Sequence, residues 1–195
     1  MAHAVETTAT LKWERINVVG TSGSGKSTFA RQLARLLQLP YCEMDALFWK
    51  PGWKQDSDAE FFRKVEEVCS QPRWVLDGNY TRSLPIKWKS VQLVVWLDAP
   101  FLPTVLRVTA RTVRRAFTRE ELWPGTGNRE SLTEAFLSRK SVIWWAISTH
   151  APNRAKYSAL MAAPEHSHIT FLRIRTRADA TRFLQGLRST ERAPG

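Results

Sequence analysis

The sequence predicts a three-layer α/β domain built on a largely parallel five-stranded sheet. Three observations carry that expectation. Short β-rich runs alternate with helical apolar periodicity along the chain, two of those runs are apolar on both faces, and a glycine-rich turn joins the first run to the first helix. A chain of 195 residues suits one such domain, since ~150 residues per domain is the usual expectation.

The elements follow in order. Arg15-Ile16-Asn17-Val18-Val19 is β-rich and closes at Gly20, and from Ser27 to Leu39 the residues Phe29, Ala30, Leu33, Leu36 and Leu37 recur at helical spacing. Tyr41 to Met44 gives a second short strand. Ser57-Asp58-Ala59-Glu60 is a capping box that opens a helix carrying Phe61, Phe62, Val65, Val68 and Cys69, and Gln71-Pro72 ends it. Arg73 to Asp77 and Val91 to Asp98 are the clearest strands, each closed by an aspartate. Past Pro100 and Pro103 a helix runs through Val105, Leu106, Val108, Ala110 and Val113 to about Phe117. Thr118 to Glu130 is polar around Trp123-Pro124-Gly125-Thr126-Gly127-Asn128 and is long enough to be a mobile lid. Ser131-Leu132-Thr133-Glu134 caps a helix to about His150, and its Trp144-Trp145 pair is either interfacial or core, with core favoured. His168 to Ile174 is the last strand, and Thr176-Arg177-Ala178-Asp179 caps a closing helix to about Leu187. The expected domain is therefore 13–187 with a lid around 118–130, and 1–12 and 188–195 are frayed tails.

Composition excludes several classes. No apolar run approaches the ~18 residues of a membrane helix, and Met1 to Thr10 lacks the apolar core of a signal peptide, so the expected location is cytoplasmic and membrane association is not expected. Two cysteines, Cys42 and Cys69, rule out a disulfide framework. Lys+Arg is 29 against 18 for Asp+Glu, giving a net charge of +11 and a pI near 10.3. That balance favours polyanions or small phosphorylated or carboxylated ligands.

Gly20-Thr21-Ser22-Gly23-Ser24-Gly25-Lys26-Ser27-Thr28 matches the phosphate-binding loop pattern between a strand and a helix, the context that gives the pattern meaning. Its backbone N–H groups would surround a β-phosphate, Lys26 would reach the β/γ oxygens, and the Ser27 hydroxyl would ligate Mg²⁺. Nucleoside triphosphate binding with Mg²⁺ follows.

Arg107, Arg111, Arg114 and Arg115 stand at i, i+4, i+7 and i+8, along one helix face. Like charges so spaced repel unless an anion sits among them. A clamp on transferring phosphates, with Arg119 and Arg129 closing from the lid, stands beside two alternatives, a solvated face and a nucleic-acid stripe. Asp77 and Asp98 both end hydrophobic strands where Mg²⁺-bound water is commonly held, and Asp77 is favoured because Asp77-Gly78-Asn79-Tyr80-Thr81-Arg82 continues as a small-residue loop bearing an arginine. Asp45-Ala46-Leu47-Phe48-Trp49-Lys50-Pro51-Gly52-Trp53-Lys54 reads as a loop at the carboxyl end of the second strand, where ligands bind in open α/β sheets. Its aromatics, Trp49 among them, either stack on a base or fill the core, and Asp45 is either a general base or a turn cap. His150, His166 and His168 have no metal-ligand spacing with the cysteines.

GTSGSGKST, MDALFWKPGW, WVLDGNYTR and VVWLDAP followed by an arginine-rich helix together resemble the small bacterial P-loop proteins labelled adenylate kinase-like or "DNA topology modulation protein". More distantly they resemble nucleoside monophosphate kinases and the shikimate and gluconate kinases. The resemblance spans roughly 15–187 and departs from adenylate kinase at the loop, which lacks the form GxPGxGKGT. It implies a nucleoside-kinase-like sheet order 2-3-1-4-5, ATP·Mg²⁺ on the loop, and an acceptor pocket between the segment after the second strand and DGNY. Asp77 aligns with an aspartate near Mg²⁺. Arg82 lies one residue beyond the arginine that holds an acceptor phosphate, and Arg107 and Arg111 match the pair before the lid. The expected function is transfer of the γ-phosphate of ATP to a small acceptor such as a nucleoside monophosphate, with Lys26, Arg107 and Arg111 catalytic and Asp45, Trp49, Asp77 and Arg82 on the substrate. The alternatives are a nucleic-acid-associated NTPase and a nucleotide switch.

Overall fold

In the computed structural model, which describes residues 13–131 and 141–192, five parallel strands form the centre. These are β1 (Arg15–Gly20), β2 (Tyr41–Glu43), β5 (Trp74–Asp77), β6 (Leu93–Leu97) and β7 (Thr170–Ile174). They lie in the order β2-β5-β1-β6-β7, which is 2-3-1-4-5 when only the strands of this sheet are counted.

Alternate residues of the central strands feed two cores. Ile16, Val18, Val75, Leu93 and Val95 point to a layer formed by α1 (Lys26–Leu36) and the closing helix α7 (Arg177–Arg192), where they meet Phe29, Leu33, Phe183 and Leu184. Val19, Trp74, Leu76, Val94 and Trp96 point the other way, toward Phe61 and Val65 of α3 (Asp58–Cys69), Trp88 after α4 (Leu84–Lys87), and Tyr157 of α6 (Val142–Ala162). Burial on both faces is why these strands read as continuous apolar runs, and each fully buried Val or Leu contributes ~1.5–3 kcal/mol. The α/β class and the parallel sheet match the sequence expectation. α5 (Phe101–Thr118) packs against α6 and buries Thr104, Val108 and Thr112.

Four expectations are corrected. The segment after β2 is structured: α2 (Met44–Phe48) is one helical turn, followed by a hairpin of β3 (Trp49–Lys50) and β4 (Lys54–Gln55). The helix capped by Ser131 was expected to reach His150; 132–140 lie outside the described residues, and α6 starts at Val142, capped by the Ser141 hydroxyl, and runs through Pro152 to Ala162. Trp144 and Trp145 are 57% and 61% exposed, so they are not core. α7 continues to Arg192 because nothing between Leu187 and Arg192 breaks a helix and the next proline is Pro194. Among the described residues no helix is long and apolar enough to cross a membrane.

Candidate active site

The phosphate-binding loop turns between the end of β1 and the start of α1. Gly25 caps α1 in the left-handed region at φ 97°, and no side chain caps that helix end, so amide donors of its first turn are left for a ligand. Gly23 has φ 84°, and a Cβ there would lie 2.5 Å from the Thr104 carbonyl oxygen and 3.0 Å from Val108 Cβ. The loop therefore rests directly on α5. Ser27 is half-buried at the start of α1 and Thr28 is exposed.

Lys26 leans toward the end of β5, with Nζ 3.7 Å from Asp77 Oδ1. Tyr41 donates its hydroxyl to Asp77 Oδ2 at 2.9 Å, whereas the buried Oδ1 has no hydrogen-bond partner. Burial pushes the Lys26 pKa down, but Asp77, Asp45 and Glu43 together outweigh it and hold the ammonium above its ordinary value. Asp98, past the end of β6, is engaged differently. Arg173 (Nη2 2.5 Å, Nε 2.9 Å), Arg154 (3.4 Å) and Arg175 (3.8 Å) all converge on its Oδ2.

The four arginines of α5 do not act as one row. Arg111 turns inward, and its Nη2 donates to the Ser22 hydroxyl of the loop at 3.0 Å while its buried Nε has no partner. Burial and then neighbouring Arg115 lower the Arg111 pKa, so an anion beside it would relieve both effects. Arg115 pairs with Glu130 (3.4 Å) and Arg114 with Glu120 (3.1 Å). Arg107 donates Nε to the Pro103 carbonyl at 3.0 Å and lies near Arg177, so no contact with the loop places it beside Lys26. A side chain's position around a helix does not determine where a long guanidinium reaches, which is why the predicted face separates.

Across from the loop, Asp45 in α2 accepts the Tyr80 hydroxyl at 2.6 Å and enters no ion pair among the described residues. Arg82 pairs with Asp58 at 2.6 Å and lies over the Phe48 ring at 5.2 Å, instead of standing free for an acceptor. Trp49 is partly exposed and packs against Trp53 and Trp123. The 118–130 segment is seated on the hairpin by Asn128, whose Oδ1 accepts Trp53 N–H at 3.0 Å and whose Nδ2 donates to the Lys50 carbonyl at 3.0 Å.

Several participants escaped the sequence reading. Asn79 pairs with both backbone groups of Gly20, accepting its N–H at 2.9 Å and donating to its carbonyl at 3.0 Å. Asn17 donates to the carbonyls of Leu76 and Gly78, and Lys87, fully buried, donates to those of Gly78 (3.2 Å) and Asn79 (2.9 Å). Only the segment DGNY hinted at these roles. The histidines pack: His150 Nε2 lies 3.0 Å from the Ala99 carbonyl oxygen, His166 stacks edgewise on Trp88, and His168 Nε2 lies 3.3 Å from the Trp88 carbonyl oxygen.

No protein-family model and no curated relative matches the sequence. Among solved structures, shikimate kinase from Acinetobacter baumannii in complex with shikimate matches 93% of this chain and 96% of its own, with TM-score 0.55 and 18% identity. The chain has the fold of a small P-loop kinase. Shikimate kinase from Bacteroides thetaiotaomicron (TM-score 0.48, 15% identity, 92% of this chain and 99% of that one) and a gluconokinase from Sinorhizobium meliloti 1021 (0.46, 14%, 90% and 96%) are further matches. The conclusion about the fold rests on the first.

Within this P-loop kinase fold the residues fit a nucleotide and Mg²⁺. Ser24 Oγ, Asp77 Oδ1 and Arg111 Nε are buried polar atoms without hydrogen-bond partners, one each on the loop, the β5 end and α5. Leaving such atoms unpaired costs about 1–3 kcal/mol each, which a bound phosphate group and its cation would recover. Among the described residues no group of three His, Cys, Asp or Glu forms a metal site by itself, so an ion here would share its coordination with the nucleotide.

Proposed function

We propose that the protein is a P-loop phosphotransferase that moves the γ-phosphoryl group of ATP to a hydroxyl of a small acceptor. The observation that carries this reading is the convergence of Lys26, Asp77 and Arg111 on the loop, with the carboxylate of Asp45, held by the Tyr80 hydroxyl, on the facing side. Residues 20–28 hold the donor phosphates. Lys26 and Arg111 stabilise charge on the transferring group, and Arg107 takes a peripheral place. Ser27 and Asp77 are the residues to hold Mg²⁺, which neutralises phosphate charge when bound. Asp45 takes the proton of the attacking hydroxyl as the new O–P bond forms and the bond to ADP breaks, with Tyr80 fixing its orientation. The 118–130 segment acts as a lid that excludes water. Cytoplasmic residence and the adenylate kinase-like resemblance belong to the same reading.

A nucleoside monophosphate acceptor is the second reading. The position of Arg82, over Phe48 and next to Tyr80, supports it, but Arg82 would have to leave Asp58 to hold a phosphate.

The test is ADP release from ATP·Mg²⁺ against nucleosides, nucleoside monophosphates, small hydroxy compounds and DNA. The expected outcome is acceptor-dependent release that disappears in Lys26→Ala and falls about 10²–10⁴-fold in Asp45→Asn. Near-normal turnover of Asp45→Asn removes the hydroxyl version. Release stimulated by DNA alone replaces it with a nucleic-acid-associated NTPase.

A further inference from the structure

We infer that the outer faces of α5 and α6 form a docking surface for an anionic lipid bilayer, on which the protein seats itself peripherally. This goes beyond the phosphotransferase reading and does not depend on it. The first support is where the apolar surface lies. Phe101, Leu102, Leu106 and Phe117 on α5 and Trp144 and Trp145 on α6 are the large hydrophobic side chains left exposed among the described residues, each between 46% and 73%. The two helices pack against each other, and the Phe101 ring meets the His150 ring of α6 edge-on at 5.3 Å. Leu106 and Phe117 follow Leu102 by 4 and 15 residues, which puts the three within about 60° of one another around the helix axis. Thr104, Val108 and Thr112 are buried on the other side of α5. Single apolar residues scattered over a surface are ordinary, but a set confined to two adjoining helices marks a contact.

The second support is charge. α5 and α6, 18 and 21 residues long, contain no Asp or Glu, although the chain has 18 acidic residues. Arg107 and Arg114 border the apolar stripe of α5, and Arg119 follows its end. Arg114 is answered by Glu120 at 3.1 Å, whereas Arg107, Arg119 and Arg177 enter no ion pair among the described residues, and Arg177 lies near Arg107. A second copy of the chain would bring the same arginines and another net charge of +11 against helices with no carboxylate to receive them. An anionic partner answers them.

The third support is the kind of side chain. Trp, Leu and Phe beside Arg are what an interfacial helix sets at the boundary of headgroups and acyl chains, where indole rings are favoured and guanidinium groups stay level with the phosphates. Acyl chains close around protruding side chains of any shape, while a folded acidic protein would need hollows matched to these six. The contact is with the bilayer surface, since no described helix is long and apolar enough to cross it. The phosphate-binding loop rests on the buried side of α5, against Thr104 and Val108, away from the face presented to lipid.

The experiment is co-sedimentation of the full chain with phosphatidylcholine vesicles, with and without about one-third phosphatidylglycerol. Calorimetric binding of ATP, thermal unfolding and analytical ultracentrifugation are measured in parallel. Binding is expected to be about tenfold tighter to the anionic vesicles and to weaken as salt rises from about 0.05 to about 0.5 M. Replacing both tryptophans, by Trp144→Ser and Trp145→Ser, is expected to weaken it about tenfold while ATP binding and the unfolding midpoint hold. Trp144→Phe with Trp145→Phe, which keeps apolar rings, is expected to retain most of the binding. Should the serine variant fail to fold, Leu102→Ser with Leu106→Ser on the other helix carries the same expectation. Equal binding to the two vesicle types, no binding to either, or serine variants that fold and bind like the wild type overturns the inference. A dimer that the serine variants dissociate, with no vesicle binding, assigns the face to a second copy and also overturns it. If the wild type binds anionic vesicles in this way but not ATP, this inference stands and the phosphotransferase reading falls.

Discussion

The two sides of the site treat charge in opposite ways. On the donor side, Lys26 and Arg111 converge on the loop, and Ser24 Oγ, Asp77 Oδ1 and Arg111 Nε are buried without hydrogen bonds. On the acceptor side, Lys50, Lys64 and Arg82 are neutralised by Asp56 and Asp58, and aromatic rings occupy the space between. Unsatisfied buried groups mark where a protein is incomplete without a ligand, while satisfied ones mark a surface finished in advance. The contrast separates an open donor side from an acceptor side where Lys50, Lys64 and Arg82 are already paired. Asp77 and Asp98 repeat it on a smaller scale. Both follow hydrophobic strands, but one keeps an oxygen free of hydrogen bonds and the other is enclosed by three arginines.

The largest effect that would break this contrast is at Arg111. Arg111→Ala is expected to lower kcat about 10²–10³-fold, the usual loss for one preorganised donor, with little change in thermal stability. A loss under about fivefold would mean that its contact with Ser22 is structural.

Lys87 sharpens the comparison from the acceptor side, because it is a buried cation whose hydrogen bonds go to carbonyls and Met44 Sδ, with no carboxylate. Burial lowers its pKa from 10.5 to about 7. Between those values the unfolded chain holds the proton and the folded chain does not, so this residue makes stability rise with pH across the window, and charging it costs the fold below about pH 7. Denaturant unfolding across the window should show Lys87→Met lacking that rise, a difference on the order of a few kcal/mol. Parallel pH curves for the two proteins would show that the ammonium is not as desolvated as its position implies.

The smallest effect is expected at Arg82. Because Asp58 already holds it, Arg82→Ala should change kcat/KM for the acceptor less than about threefold. A loss of a hundredfold, measured in the same assay, would place an acceptor phosphate on Arg82 and restore the monophosphate reading.

Legibility followed the range of the interactions. The strands ending at Asp77 and Asp98 were readable because a strand covered on both faces must be apolar throughout, and the loop was readable because its chemistry is local. The single turn of α2 is too short to show a period, and Pro152 disguised the middle of α6. Trp144 and Trp145 looked like core because their composition says nothing about which side of α6 they take. Within the site, Lys26 and Asp77 announced themselves by motif and strand end. Asn79, Tyr41, Tyr80 and Asn128 did not, since each acts on a residue at least 35 positions away and no spacing rule reaches that far.

The missing side chain of Gly23 also acts as a spacer gauge. With only hydrogen on its Cα, the loop settles against the backbone of Thr104 and the flank of Val108, and the smallest side chain would have to push them apart. Arg111 sits one turn beyond Val108 on the same helix, so the stand-off at position 23 also sets how far that guanidinium must stretch to meet Ser22. A single methyl group there would detune the reach of a residue 88 positions away without touching it.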